Sequence, residues 1–184
     1  MPESVAEVIM ENPEQPDILD AFLEGDEAAF AEVVRAWHSR LAAYARSFLD
    51  TPEDCQEAVQ DAFLKLHQAR RTIRENPRAW LFKVTRNRCL DLQRKAIRER
   101  KRTEGALPPV FPGAALPPME RLEVREALGT LPERDRAVVC LKVLEGLSYE
   151  EIGEALGLTA GNVGYILHHG LKKLASIIRP GGRS

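Results

Sequence analysis

Cysteine is scarce in this 184-residue chain, and what little there is excludes several kinds of site. Cys55, Cys89 and Cys140 are far apart and odd in number, with no CxxC pair or Cys/His cluster, so we expect buried or half-buried thiols rather than a metal site. No run reaches the roughly 18 to 20 apolar residues of a membrane span, so we expect no membrane insertion. The acidic opening segment lacks the basic and apolar regions of a secretion signal, which favours a cytoplasmic protein.

Patterns that carry catalysis are missing as well. No Ser/His/Asp set, P-loop or HExxH zinc motif occurs, and the four histidines follow no metal-ligand spacing. We therefore expect a protein that is not an enzyme, with no cofactor and no small-molecule substrate. No stretch alternates polar and apolar residues between hairpin turns, so β-structure is not expected either.

The charge that is present is strongly segregated along the chain. Residues 1–64 hold 15 acidic and 3 basic residues, whereas residues 65–102 hold 14 basic and 3 acidic ones. Residues 103–184 are close to neutral, with 9 basic and 10 acidic residues. This split predicts a polyanionic partner for the middle segment and a different partner for the acidic part.

Helical periodicity runs through the first hundred residues. The first clear helix follows the "EGDE" segment, the second opens with Thr51 as its N-cap, and the third opens with Asn76 as its N-cap. A proline follows each of these caps, which is typical of the first helical position. The predicted core stripes are Phe30, Val33, Val34, Trp37, Leu41, Tyr44, Ala45 and Phe48 in the first helix, and Ala58, Val59, Ala62, Phe63 and Leu66 in the second.

A proline-rich segment separates this part from a second helical part. Residues 103–118 contain five prolines and two glycines, which indicates a linker. Beyond it, Ser148 and Glu151 have the spacing of a capping box, Gly157 marks a turn, and Thr159 can cap a further helix. The layout is that of a helix-turn-helix, with an ordinary helical hairpin as the alternative. Its expected inward residues, with those of the helix after Pro132, are Val138, Leu141, Leu144, Ile152, Leu156, Val163, Leu167, Gly170, Leu171, Leu174 and Ile178.

Three quoted stretches resemble one protein family. They are "EDCQEAVQDAFLKLH", with Asp61 and His67 where the family has Glu and Trp, then "NPRAWLFKVTRNRCLDLQR", then "LPERDRAVVCLKVLEGLSYEEIGEALG". The first two resemble region 2 and the third resembles region 4 of bacterial RNA polymerase sigma factors, in the extracytoplasmic-function group of the sigma-70 superfamily. The resemblance covers roughly residues 20–102 and 120–178.

The resemblance implies an all-α chain of two small helical domains joined by a flexible proline-rich linker. The expected segments are an acidic tail at 1–17, region 2 at 18–102, the linker at 103–119, the region 4 helix-turn-helix at 120–179 and a tail at 180–184. By resemblance, region 2 binds the clamp coiled coil of core RNA polymerase and captures the non-template strand of the −10 element. Region 4 binds the −35 element and the polymerase flap. An anti-sigma factor is a further partner that the resemblance implies.

The basic third helix and the loop before it are the expected −10 surface. About eight phosphate contacts would make log affinity fall with log salt at a slope near −7. A flipped base costs a few kcal/mol to unstack, and stacking on a side chain returns about 1–3 kcal/mol, so polymerase must supply the rest of the melting. The expected residues are Arg74, Asn76, Arg78, Trp80, Lys83, Arg86, Asn87 and Arg94. For Trp80, the alternative to DNA binding is a position in the hydrophobic core.

Two further surfaces follow from the same resemblance. The expected polymerase-binding residues are Asp54, Gln56, Glu57, Gln60 and Asp61, and the expected −35 residues are Thr159, Asn162, Tyr165, His169, Lys172 and Lys173. Asn162 can read adenine, the two lysines suit phosphates, and Tyr165 and His169 are either base readers or solvated or packed residues. Gly164, Tyr165 and Ile166 replace the Lys, Ser and Arg common in the family, so the −35 contact is expected to be weak, unusually specific or dependent on another factor.

Two other readings of the sequence stay open. A stand-alone helix-turn-helix regulator would bind duplex DNA without polymerase, but it leaves the basic helix unexplained. An adaptor or anti-factor would use the same helices on another protein and would show no salt-dependent DNA binding.

Overall fold

A computed structural model describes residues 16–74, 76–102, 124 and 126–178. The helices are α1 (Pro16–Glu24), α2 (Ala29–Ala45), α3 (Pro52–Ala69), α4 (Pro77–Arg102), α5 (Glu133–Val143), α6 (Tyr149–Leu156) and α7 (Ala160–Ile178), with a short helical segment at 126–129. The described residues contain no strand, and the predicted all-α fold is confirmed. The predicted linker lies outside the described residues. None of the described helices combines the length and apolarity needed to cross a membrane.

Helices α1 to α4 form the first domain, and its core is largely aromatic. Trp37 and Tyr44 of α2 meet Phe82 of α4 edge-on, with ring centroids 6.0 and 5.2 Å apart. All three side chains are buried. The predicted apolar stripes of α2 and α3 are confirmed as facing the core. Phe30 and Val34 are only half-buried, at the edge of that core.

The starts of α3 and α4 are held by the predicted caps. The Thr51 hydroxyl accepts a hydrogen bond from the backbone N–H of Asp54 at 3.1 Å. The side-chain oxygen of Asn76 accepts from the N–H groups of Arg78 and Ala79 at 3.0 and 3.1 Å. These bonds satisfy N–H groups that have no partner within the helix, and they fix where α4 begins.

Helix α1 was not predicted from the sequence. It is nine residues long, and it buries Leu19 and Phe22 against the rest of the domain. The Phe22 ring lies 5.0 Å from the Phe30 ring, and Gly25 ends the helix at a positive φ of 121°. So short a helix is marginal in water by itself, and its stability comes from this packing. Nine residues also give too little periodicity for a prediction from the sequence.

Residues 126–178 form the second domain, and its predicted caps are confirmed. The Ser148 hydroxyl accepts from the Glu151 N–H at 3.1 Å, while the Glu151 carboxylate accepts from the Ser148 N–H at 2.8 Å. Gly157 ends α6 in the left-handed region, at φ 68°, which a residue without Cβ adopts at little cost. The Thr159 hydroxyl then accepts from the Asn162 N–H at 3.3 Å, at the start of α7.

The predicted inner faces of this domain are wrong at two positions. Leu144 is 53% exposed because it follows the last residue of α5, and Leu171 is 42% exposed on the outer side of α7. Ile166, which the sequence did not assign to the core, is only 6% exposed. Contact with α5 and α6 decides which side of α7 is buried. Periodicity alone does not tell whether a residue at the margin of that side, such as Leu171 or Ile166, is covered. The side chain of Ile178 lies outside the description.

Candidate nucleic-acid and polymerase surfaces

Four of the predicted −10 residues share one side of α4. Trp80, Lys83, Asn87 and Arg94 recur at helical spacing, so their side chains leave the helix in similar directions. Asn87 and Arg94 are exposed, whereas Trp80 and Lys83 are half-buried. Trp80 packs against the hydrophobic core and keeps some accessible surface, so it can serve both the core and a ligand. Arg94 also lies 3.2 Å from Asp91, three positions earlier in the helix. We call this side of α4 the basic face.

Asn76 and Arg78 lie on a different side and meet the second domain. The side-chain nitrogen of Asn76 donates to Glu151 at 3.1 Å, and its backbone N–H donates to Glu154 at 3.0 Å. The Arg78 guanidinium lies 3.8 Å from the same Glu151 oxygen and donates to the backbone carbonyl of Glu145 at 3.4 Å. These two predicted DNA-binding residues are therefore in contact with carboxylates or carbonyls of the other domain.

Arg86 and Arg74 complete the predicted −10 set. Arg86 forms an ion pair with Glu133 at the start of α5, so it also faces the second domain. A shallow polar groove beside this pair is lined by Arg86, Asn87, Asp91, Arg94 and Glu133, among others. Arg74 is exposed in the loop before α4, where it donates to the carbonyl of Arg71 at 3.0 Å. The charge of Arg74 is therefore accessible, and its hydrogen bond to Arg71 lies within the loop.

A buried ion pair joins the two domains. Arg40 of α2 lies 2.7 Å from the carboxylate of Glu145, whose side chain is 2% exposed. Burial raises the pKa of Glu145, while the charge and hydrogen bond of Arg40 act in the opposite direction. The Arg40 guanidinium also lies 4.4 Å from the centre of the Trp37 ring. The sequence offered no signal for this pair, because the two residues are 105 positions apart.

The outer face of α7 carries four of the predicted −35 residues. Asn162, Tyr165, His169 and Lys172 recur at helical spacing and are all exposed. Tyr165 is 67% exposed, and its ring centroid lies 4.3 Å from that of His169. The two rings are inclined to each other by 51°, and both lie on the exposed side of α7 with Asn162.

The other two predicted −35 residues have structural partners. The hydroxyl of Thr159 is the cap acceptor for α7. The Lys173 ammonium donates to the backbone carbonyl of Thr130 at 2.7 Å, so it ties α7 to the segment before α5. Lys172, which is exposed, is therefore the better placed lysine for a phosphate contact.

The predicted polymerase-binding residues lie along α3. Gln56, Glu57 and Gln60 are exposed, and Glu57 also forms an ion pair with Arg88 of α4. Asp54 is half-buried in the capped first turn. These side chains form a polar helix face well suited to a protein partner.

Asp61 and a leucine that sequence reasoning missed complete this face. Asp61 lies 2.8 Å from Lys65, one turn along the same helix. Leu64 is 56% exposed and follows Gln60 by four positions, so it lies on the exposed side of α3 beside the glutamines. A large apolar side chain in such a place is a candidate contact, and its departure from the buried stripe was the available signal.

The cysteines lie in the interior of the protein. All three are buried and free, as predicted. Burial raises the pKa of Cys89 to about 12 and that of Cys140 to about 11, so both remain protonated thiols at neutral pH. In the part of the chain that the structure describes, no group of three or more His, Cys, Asp or Glu side chains could hold a metal ion.

Both domains match known families. Residues 33–102 match Sigma-70 region 2, and residues 121–174 match Sigma-70, region 4. These two matches, in this order, define the architecture of a two-domain RNA polymerase sigma factor.

Curated relatives narrow this class. The chain is 34% identical over 161 residues to the ECF RNA polymerase sigma factor SigF of Caulobacter vibrioides, covering 85% of this chain and 89% of the relative. It is 31% identical over 151 residues to SigM of Mycobacterium tuberculosis, covering 80% and 76%. The chain therefore belongs to the sigma-70 family, in its extracytoplasmic-function (ECF) group.

Solved structures agree with this fold. The chain superposes on CnrH, solved in complex with the cytosolic domain of CnrY, with a TM-score of 0.64 and 26% identity over 88% of this chain and 95% of that one. The sigma factor RpoE of Bartonella quintana, solved with the anti-sigma factor NepR, gives a TM-score of 0.69 at 22% identity over 84% and 98%. The latter likeness concerns the fold alone.

Proposed function

We propose that this protein binds core RNA polymerase in the bacterial cytoplasm and directs promoter-specific initiation of transcription. The observation that carries the proposal is that one chain combines a region 2 domain with a basic helix and a region 4 domain with an exposed helix-turn-helix face. The protein acts by binding and selection, and polymerase performs the chemistry. The proposed domain limits are 18–102 and 120–179, with 103–119 as the linker.

The first domain captures the non-template strand of the −10 element. Lys83 and Arg94 on the basic face contact phosphates, and Arg74 extends that charge into the loop before α4. Trp80 and Asn87 lie among them and are placed to meet bases by stacking and hydrogen bonding. Stacking returns about 1–3 kcal/mol per base, which offsets the opening of one or two bases but not of a whole bubble. Asn76, Arg78 and Arg86 join this surface once the second domain moves away.

The second domain binds the −35 element through the outer face of α7. Its first turns enter the major groove, where Asn162 can donate to and accept from the edge of adenine. Tyr165 and His169 offer two exposed neighbouring rings that suit apolar contact with thymine methyl groups. Lys172 lies further along the helix and contacts the phosphate backbone.

Protein partners bind other faces. We assign the clamp coiled coil of polymerase to the exposed side of α3, where Gln56 and Gln60 supply polar contacts and Leu64 an apolar one. The flap binds the second domain. An anti-sigma factor is a further proposed partner, supported by the complexes of the structurally similar proteins with NepR and with the cytosolic domain of CnrY.

Transcription with purified components tests the proposal. The chain is combined with core RNA polymerase and with a library of genomic fragments, and the 5′ ends of the RNA are mapped. We expect new starts downstream of a shared pair of sequence elements, which vanish when the chain is omitted. A matched reaction with Gln60→Glu and Leu64→Lys should lose core binding and these starts together, because charge is added to the exposed side of α3. Failure of the chain to bind core, or identical starts with and without it, would exclude the proposed function.

The stand-alone regulator makes the opposite prediction for duplex DNA. Such a protein would shift a promoter duplex equally well with and without core polymerase. A sigma factor needs core for stable promoter binding, because melting requires more free energy than the captured bases return. A gel shift with both samples at matched salt separates the two functions.

A further inference from the structure

Three rings join α1 and α2 to the last turns of α3. The centroid of the Phe22 ring in α1 lies 5.0 Å from that of Phe30 in α2. The His67 ring of α3 lies 5.1 Å from Phe30 and 6.0 Å from Phe22. His67 stands where the family has tryptophan, so a ring is kept at this position. Phe22 and Phe30 precede residues 33–102, which match region 2, so the contact joins the matched segment to residues outside it.

One carboxylate adds two polar contacts to these rings. Glu27, in the turn between α1 and α2, forms an ion pair with Arg70 through one oxygen, and its other oxygen lies 3.5 Å from Nε2 of His67. Arg70 directly follows α3, and its side chain is only 16% exposed. The Arg70 guanidinium also lies over the Phe22 ring, 5.7 Å from its centre, so carboxylate and ring together restrict its orientation. We call Glu27, His67 and Arg70 the α3 anchor.

The turn that carries Glu27 is itself held by hydrogen bonds. The Asp26 N–H donates to the carbonyl of Ala21 at 3.0 Å, and the Asp26 carboxylate accepts from the N–H of Ala28 at 2.9 Å. Both neighbours of Glu27 are therefore tied into the turn. The Glu27 carboxylate reaches α3 from a backbone that is already ordered.

The loop after α3 is built on the carbonyl of Ala69. That oxygen accepts from the N–H of Thr72 at 2.8 Å, from the Thr72 hydroxyl at 2.8 Å and from the N–H of Ile73 at 3.2 Å. The Ile73 side chain packs, partly buried, against the core. Arg74, which the proposed function assigns to the −10 strand, comes next in the chain. Because these bonds start from the last turn of α3, the position of Arg74 depends on where Arg70 holds that turn.

We propose that Glu27 is a specificity-determining residue for the −10 element and acts as a positioning residue: through the α3 anchor it sets the place of the loop at 70–74, and with it the phosphate contact of Arg74. Phosphate contacts fix the register of a bound strand, and base contacts then read it. A displaced loop lets the strand shift relative to Trp80 and Asn87, so the bases are distinguished less well. The anchor stands on the observed contacts, whereas its effect on base selection rests on the proposed function.

Loss of the ion pair has a consequence that simple destabilisation does not have. Arg70, once released from Glu27, is a free cation beside the loop and can bind phosphate. Affinity for single strands of any sequence is then kept or raised, while the preference for the −10 sequence falls. Unfolding of the domain would instead lower both together.

Three variants separate these effects. Glu27→Arg places a like charge against Arg70. The matched control, Glu32→Arg, makes the same charge change within α2, in an exposed pair with Arg35 of the same helix. The double variant Glu27→Arg/Arg70→Glu restores a pair of opposite charges with the partners exchanged.

The first test measures the anchor without DNA or polymerase. Hydrogen exchange is followed at the N–H groups of Thr72 and Ile73 in the free, full-length protein. We expect exchange at both to be at least about 5-fold faster in Glu27→Arg, and unchanged in Glu32→Arg and in the double variant, with the middle of α3 unchanged in all three. Wild-type exchange in Glu27→Arg, or an equal increase in the middle of α3, would show that the pair does not hold the loop and would overturn the proposal.

The second test measures base selection by the complex of the chain with core polymerase. Its affinity is compared for a single-stranded oligonucleotide carrying the mapped −10 element and for one with the same bases in scrambled order. The ratio of the two affinities should fall by about 5-fold in Glu27→Arg and change by less than about 2-fold in Glu32→Arg and in the double variant. Faster loop exchange with an unchanged ratio overturns the specificity role of Glu27. Core binding and transcription starts of the wild-type chain report the proposed function separately, so its failure is recognised independently of the anchor.

Discussion

At the scale of single residues, Asn76 shows how one side chain serves two purposes. Its oxygen caps α4, while its amide nitrogen and its backbone N–H both donate to glutamates of the second domain. A cap residue lies at the edge of a helix, so it is accessible to partners and positioned by the helix at the same time. Asn76 therefore both starts α4 and contacts carboxylates of the second domain.

The outer face of α7 separates base reading from phosphate binding. Asn162→Ala should relax the preference at one base pair of the −35 element, with a loss of about 1–3 kcal/mol of discrimination. Lys172→Ala should weaken all promoters by a similar factor and reduce the salt slope by about 1. The measurement is holoenzyme binding to a promoter set with single changes in the −35 element. An Asn162→Ala protein with wild-type base preferences would remove Asn162 from the reading set.

At the scale of elements, helix ends are the best determined features of this fold. Thr51, Asn76 and Ser148 each satisfy an otherwise unpaired N–H of the first turn, and Gly157 provides the left-handed residue that ends α6. Each device acts within three or four residues. The turn between α6 and α7 consequently sets the angle at which the second domain presents its outer face.

Two glycine substitutions test this argument in opposite directions. Gly157→Ala forces a side chain into the left-handed region, so it should lower the free energy of unfolding of the second domain by about 1–2 kcal/mol. Gly161→Ala lies within α7 with no atom within 4 Å of the added Cβ, so it should raise stability by up to about 1 kcal/mol. Thermal unfolding of the full chain by circular dichroism measures both. Equal shifts of the two midpoints in one direction would contradict the assigned backbone roles.

At the scale of the whole molecule, the contacts between the two domains affect how DNA binding depends on salt. Binding of an arginine to phosphate releases counterions and steepens the salt dependence. With the domains in contact as observed, Arg78 and Arg86 exchange one anion for another on binding DNA, because a carboxylate already lies beside each of them. Part of the usual counterion release has therefore already occurred on folding. The salt slope consequently reports the state of the domains as well as the number of phosphate contacts.

We therefore expect different salt slopes for proteins with and without these contacts between the domains. For a single-stranded −10 oligonucleotide, log affinity against log salt should be steeper for Glu151→Gln/Glu154→Gln than for wild type, by about 0.7 for each guanidinium that is freed. The Glu126→Gln/Glu150→Gln control should keep the wild-type slope. Affinities measured between about 50 and 200 mM salt cover the useful range. Parallel lines for all three proteins would show that these substitutions free no phosphate-binding arginine.

Much of the fold could be predicted because its signals are local. The stripes of α2 and α3 and the caps at Thr51, Asn76 and Ser148 follow from residues three to four positions apart. The features that the sequence did not predict share one cause. Helix α1, the outward turn of Leu171 and the burial of Ile166 depend on what packs against each helix, and periodicity does not contain that information.

The sequence by itself determined that this protein is helical, where most helices begin, and that a basic helix and a helix-turn-helix lie on either side of a proline-rich segment. Only the tertiary structure decided which charges meet. Arg40 and Glu145 are 105 positions apart, and Arg78 and Glu145 are 67 apart, so their contact depends on how two separate domains dock. The charge pattern predicts an anionic partner for the basic segment but does not identify it, because carboxylates and phosphates bind a guanidinium through the same N–H donors. The docked geometry alone identifies the carboxylates as the chain's own.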